Sequence, residues 1–217
     1  MKMVRIDPTQ QSKLENYKIL IGSVLPRPIA FVTSVNGDGV VNAAPFSFFT
    51  VVSTDPPMVG ISVMRKPGGI RKDTAANIAG SGEFVVHVVD RDNVAMVNET
   101  SVEFPPGMSE AEEVGFRLVQ SDIVKVPGLM ESKIRMECRL HRILPLGGTS
   151  DAPNVDFIIG EVVRFHIADE LYRDGKIDTV LLDPVGRLAG TAYGTLGEMF
   201  SMPRLSYEEW KAGRKRE

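Results

Sequence analysis

Runs of β-branched and aromatic residues recur along this chain, each ended by glycine, proline, asparagine or aspartate, with no repeated strand-helix-strand period. That pattern excludes a doubly wound parallel sheet and predicts a mainly β barrel with a few short helices. Residues 28–35 (Pro-Ile-Ala-Phe-Val-Thr-Ser-Val) meet Asn36-Gly37-Asp38-Gly39, a strong turn signal, before Val40 and Val41 resume, so a hairpin is expected there. Residues 48–53, 58–64 and 83–89 read as further strands, with Asp55-Pro56-Pro57 as punctuation and a short helix, capped by Asp73 or Thr74 and stopped at Gly80, before the last of them. Residues 134–144 and 155–167 form a second predicted hairpin. Helices are also expected at 8–22, laying Leu14, Tyr17, Ile19, Leu20 and Ile21 on the body, and at 92–100.

At 217 residues, one domain spanning 1–217 is the default, with enough chain to bury a core. A hydrophobic fraction of 43% and a charged fraction of 24% are those of a folded globular protein, and a net charge of −3 offers nucleic acid no global attraction. The one cysteine, Cys138, excludes an intrachain disulfide and a Cys-x-x-Cys pair. The amino terminus turns polar too early for a signal peptide and no run is long enough to span a membrane, so a cytoplasmic location is expected.

No Gly-x-Gly-x-x-Gly fingerprint, phosphate loop, His-Glu-x-x-His or Gly-x-Ser-x-Gly elbow is present. His87, His141 and His166 lack metal-ligand spacing, which points to structural or surface roles and no metal. What remains is a constellation in the first third. Arg71-Lys72-Asp73-Thr74 puts cations and a hydroxyl where a helix begins, which suits an anion; taken alone it also reads as an ordinary helix cap. Arg27 stands between Pro26 and Pro28, a planar fork on a stiff backbone. Thr33 and Ser34 point to opposite faces of their strand, so at most one serves a given pocket. Residues 42–47 (Asn-Ala-Ala-Pro-Phe-Ser) supply small side chains, an amide and a hydroxyl, with a proline that leaves backbone groups open.

These motifs occur in order: Pro26-Arg27-Pro28-Ile29-Ala30, residues 42–47, Ser53-Thr54-Asp55-Pro56-Pro57, Lys72-Asp73-Thr74 with Asn77-Ile78, Gly160-Glu161-Val162-Val163, and Arg187-Leu188-Ala189-Gly190 with Tyr193 and Gly197-Glu198. As a set spanning nearly the whole chain, they resemble the flavin reductase-like, FMN-binding split-barrel proteins, flavoredoxins among them. The resemblance implies a Greek-key-like split β-barrel homodimer with one FMN per subunit, and NADH or NADPH as hydride donor in the members that are reductases. It also implies that Arg27, Thr33, Ser34, Lys72, Asp73 and Thr74 hold the phosphate and ribityl chain, that Asn42, Ala44 and Ser47 lie along the ring, and that Tyr193 approaches from the tail. The loop at 64–69 is longer than expected, and an insertion at 104–115 is placed to cover the site.

Flavin chemistry needs no catalytic triad, because the cofactor carries the reaction. Three functions fit: an NAD(P)H:FMN reductase that feeds a partner oxygenase, an FMN electron carrier reduced by another protein, and an FMN-dependent enzyme acting directly on a small organic substrate.

Overall fold

The computed structural model describes residues 1–105 and 107–214, without the side chains of 213 and 214. The elements before the main crossover are α1 (Lys13–Ser23), β1 (Ala30–Val35), β2 (Val41–Phe46), β3 (Phe49–Thr54) and β4 (Pro57–Met64). They are followed by α2 (Asp73–Ser81), β5 (Glu83–Val88), α3 (Val94–Glu99), α4 (Glu110–Val114), the short β6 (Leu118–Val119) and β7 (Gly128–Leu129), and the long hairpin β8 (Ile134–Gly148) and β9 (Pro153–Ile167). The tail carries β10 (Tyr172–Arg173), β11 (Lys176–Ile177), α5 (Thr179–Leu182), β12 (Gly186–Arg187), β13 (Tyr193–Gly194) and α6 (Tyr207–Arg214).

Seven strands form one antiparallel sheet in the order β2-β1-β5-β8-β9-β4-β3, which curls until β2 and β4 touch. This is the expected split barrel. The β1–β2 hairpin closes where the sequence signalled it: the Asn36 side-chain oxygen accepts from the backbone N–H groups of Asp38 and Val40, and Gly39 takes the φ of 85° that the turn requires.

The strand period of two sorts side chains to opposite faces. Ala30 and Val32, Phe84 and Val86, Met136 and Cys138, and Val59, Ile61, Val63, Ile158 and Val162 fill the barrel. The chain crosses from β4 to β5 through α2, whose Ala75 and Ile78 join that same core and close one end of it. Gly160 of β9 is small because a Cβ there would lie 2.3 Å from Cζ of the buried Phe84 ring. The core could admit it only by moving that ring.

The outward face of β1, β5 and β8 is covered by the segment from β6 to β7, and polar side chains on those strands hold it in place. Thr33 donates to the Pro127 carbonyl at 2.7 Å, His87 Nε2 accepts from Leu129 N–H at 3.0 Å, and Arg135 donates to the Leu129 carbonyl. Glu137, fully buried, accepts the N–H groups of Asp122, Ile123 and Val124 and pairs with His166 at 2.5 Å. Two of the three histidines are therefore structural, and the third, His141, is exposed.

Helix α1 differs from expectation. It starts with a Ser12–Glu15 capping box and runs past Gly22 to Ser23, yet only Ile21 is buried; Leu14, Tyr17, Ile19 and Leu20 face outward. Among the described residues, no helix is long and apolar enough to cross a membrane.

Candidate functional site

A cleft of about 440 Å³ opens between β2, the start of α2 and the chain that follows α3. That size lies within the roughly 300–1,000 Å³ of cofactor pockets. Period two on β2 turns Asn42, Ala44 and Phe46 to the cleft, while Ala43 packs the other way, into the cluster around Phe31. Because β2 is an edge strand, Pro45 removes no ladder hydrogen bond.

The floor at one end is the first turn of α2. No side chain caps this helix at Lys72, so its leading N–H groups and its dipole are open to an anion. Lys72 and Lys66 stand beside it, the latter 3.6 Å from Asp73. Thr74 is 2% exposed, and its hydroxyl accepts from the Asn42 side-chain amide at 2.9 Å, which leaves the hydroxyl proton for a further acceptor. Asn77, one turn on, donates to the buried Ser34 hydroxyl at 3.2 Å.

The opposite wall consists of Thr100, Val102, Phe104, Met108 and their neighbours; Phe104 and Met108 belong to the insertion anticipated at 104–115 as a cover, and the wall begins before it. Glu110 of α4 ties this wall to β2 by accepting the Ala43 N–H at 2.9 Å. Burial lifts the Glu110 carboxyl above the usual carboxylate range, with that N–H working against the rise and Asp73 adding to it.

The structure thus brings Asn42, Ala44, Lys72, Asp73 and Thr74 into one cleft, with Ser34 directly behind it. The others lie elsewhere. Thr33 is on the opposite face, committed to Pro127, so of the two neighbouring hydroxyls only Ser34 serves this side. Arg27 is 5% exposed, and its guanidinium donates to the carbonyls of Ile21, Val24 and Leu188; it caps the end of α1 and ties down the tail. Ser47 follows β2 in the bend before β3 and is half-buried. Tyr193 donates to Asn98 at 2.8 Å under the Arg187 guanidinium, beside α3. Sequence reasoning did not single out Glu110 as a cleft residue, and it offered Lys66 only as a second place to look for a phosphate. Lys66 sits in a loop whose path depends on distant partners, and Glu110 is 67 residues from the N–H it meets.

The donor set fits a phosphorylated, flat ligand. Cations, a hydroxyl and free helix N–H groups gather at one end, and an amide, small residues and an aromatic edge run along one wall. FMN has this chemistry, with Lys66, Lys72, Thr74 and the α2 amides suited to its phosphate and Asn42 and Ala44 to the remainder.

Fold and site together define the class: a split barrel with lysines and an uncapped helix start at one end of a cleft. Residues 21–183 match the family model of the flavin reductase like domain, and the chain belongs to that family. A protein of Halalkalibacterium halodurans is 54% identical over 201 residues, covering 93% of this chain and 96% of that one. Nitrilotriacetate monooxygenase component B from Bacillus cereus superposes with a TM-score of 0.92 at 49% identity, covering 93% of this chain and all of that one. The Pseudomonas fluorescens 2-nitrobenzoate 2-nitroreductase NbaA does so with a TM-score of 0.84 at 32% identity, covering 94% and 98%.

Proposed function

We propose that this chain is an FMN-binding oxidoreductase, an NAD(P)H-dependent flavin reductase that works as a homodimer and hands its electrons to a partner oxygenase. One observation carries the reading: the uncapped start of α2, Lys72 and the Thr74 hydroxyl meet at one end of a cleft whose wall is Asn42 and Ala44, in a chain of the flavin reductase-like family. FMN held there would supply the hydride and electron transfer. The chain's own residues bind the phosphate, present backbone and amide groups along the cofactor, and exclude water through the wall made by Thr100, Val102, Phe104 and Met108. The seat is local and no second nucleotide fingerprint accompanies it, which favours FMN over FAD. Likeness to a monooxygenase component B supports the oxygenase partner.

Titration with FMN and with riboflavin tests the reading. Lys72→Ala and Thr74→Ala each remove a charge-assisted bond of roughly 1.5–3 kcal/mol, so FMN affinity falls by about one to two decades. Riboflavin, which lacks the phosphate, binds both variants nearly as it binds the parent. Equal small changes for the two ligands place the phosphate elsewhere. NADH or NADPH should then bleach the yellow protein without a partner; colour that neither bleaches identifies an electron carrier instead.

The dimer rests on surface the subunit leaves uncovered. The edge strand β3 exposes Val51 and Val52, and α1 exposes Leu14 and Leu20. Light scattering across a dilution series is expected to give twice the chain mass throughout; a monomer with full FMN affinity contradicts the proposal.

The wall opposite β2 favours one further reading, an FMN-dependent enzyme acting directly on a small organic substrate, because Val102, Phe104 and Met108 give the cleft an apolar side. The likeness to a nitroreductase points the same way. Turnover of a nitroaromatic acid with NAD(P)H, without any oxygenase, distinguishes it.

A further inference from the structure

The loop between β4 and α2 carries both lysines of the anion seat, and it is held from outside by one buried acid. Asp156 of β9 has no exposed side-chain surface. Its two oxygens receive the Arg65 fork, Nη2 to Oδ1 at 2.6 Å and Nε to Oδ2 at 2.8 Å, while the third arm of that fork, Nη1, donates to the Gly69 carbonyl at 3.0 Å. Arg71 Nε lies 3.4 Å from Oδ2. The same loop is also bonded through its backbone, by Arg65 N–H to the Asn154 carbonyl and Lys66 N–H to the Ile70 carbonyl. It bends at Gly68 and Gly69, with φ of 78° and 75°, and at Gly69 it passes so close to Ala152 that a Cβ would lie 2.9 Å from that residue's Cα. Asp156 therefore grips the loop at its first residue, in its middle through Arg65, and near its last, immediately before Lys72.

We infer that Asp156 is a positioning residue for the anion seat: through Arg65 and Arg71 it holds the loop that presents Lys66, Lys72 and the start of α2 to a phosphate. The inference rests on the FMN reading above and adds to it a residue that lines no part of the cleft. Coulomb's law gives the test its sign. Asp156 is an anion near the seat, so removing its charge without moving anything strengthens phosphate binding. Removing the grip does the opposite, because an asparagine amide faces the Arg65 N–H groups with its own donors.

The experiment compares FMN and riboflavin affinities, by fluorescence titration, for the parent, Asp156→Asn and Arg65→Lys. Positioning predicts that Asp156→Asn weakens FMN by about tenfold and riboflavin by no more than about twofold. Arg65→Lys keeps the charge and loses the planar fork, so FMN weakens again, by about fivefold. This variant decides the matter if Asp156→Asn does not fold. FMN binding that tightens in Asp156→Asn, or stays at the parent value in Arg65→Lys, overturns the proposal, as does equal loss of both ligands. A parent that binds FMN no better than riboflavin refutes the phosphate seat itself, and the positioning role with it.

Discussion

Glu137→Ala is expected to cost about 3–5 kcal/mol, the toll of removing a buried carboxylate and orphaning the several groups hydrogen-bonded to it. Removing the carboxylate strands the N–H groups of Asp122, Ile123 and Val124 beneath the covering segment and leaves His166 without its acceptor. For a protein of this size each kcal/mol moves the melting temperature by about 2–4 °C, so the midpoint should fall by about 6–20 °C. The loss is local in origin. The segment from β6 to β7 also hangs on Thr33 and His87, so it should become sensitive to protease before the barrel core does. A melting temperature within about 2 °C of the parent's would show that the covering segment is held by its apolar contacts through Val124 and Val126 alone.

Stability should also decline steeply with acid, for reasons that can be separated by pH. Burial lowers the His87 imidazole from 6.5 to about 3, against the Phe31 carbonyl that receives its Nδ1 proton and with a small contribution from Arg135. Below pH 6.5 the unfolded chain takes up a proton at this residue that the folded chain refuses, so stability falls as pH falls, by about 1.4 kcal/mol per pH unit, until roughly pH 3. Glu137 adds a second loss lower down. Burial alone would raise its carboxyl, but His166 and the three N–H groups outweigh that and hold it at about 2, so between 4.5 and 2 the unfolded chain again binds the extra proton. Urea denaturation at pH 7, 6, 5, 4 and 3.5 is expected to show a slope of about 1.4 kcal/mol per pH unit that about doubles below 4.5. His87→Gln, which cannot titrate, should flatten the part above 4.5 and about halve the slope below it, where Glu137 alone remains; an unchanged slope between 6.5 and 4.5 would assign the upper loss to other groups.

Much of the site was legible because its signals are local. The turn at residues 36–39 fixes which strand follows β1, and strand alternation then places Asn42 and Ala44 on one face without knowledge of any distant residue. Lys72-Asp73-Thr74 marked the start of α2, but the cap expected from Asp73 or Thr74 is not made: Lys72 holds the cap position without a side-chain bond, and the helix runs past Gly80 to Ser81. Arg27 and Thr33 show the limit. Both are polar residues beside the expected motifs, and both are consumed by carbonyls far along the chain, Leu188 at 161 residues' distance and Pro127 at 94. A polar side chain announces that it needs a partner, and nothing local says whether that partner is a ligand or a backbone group.

The apolar residues of α1 show the same division from the other side. Their spacing predicted a helix, and a helix forms; which surface they cover was never encoded in the spacing, and within the subunit they cover almost none. By itself, then, the sequence determined the long strands, the turn at residues 36–39 and the helix that begins at Asp73, because backbone conformation and side-chain direction depend on neighbours a few residues away. Tertiary structure alone decided that Thr100 and Val102 join the anticipated insertion in the second wall, that Glu110 ties it to Ala43, and that Asp156 grips the loop before α2. Those contacts join points brought together only when the sheet curls, and no periodicity along the chain carries that distance.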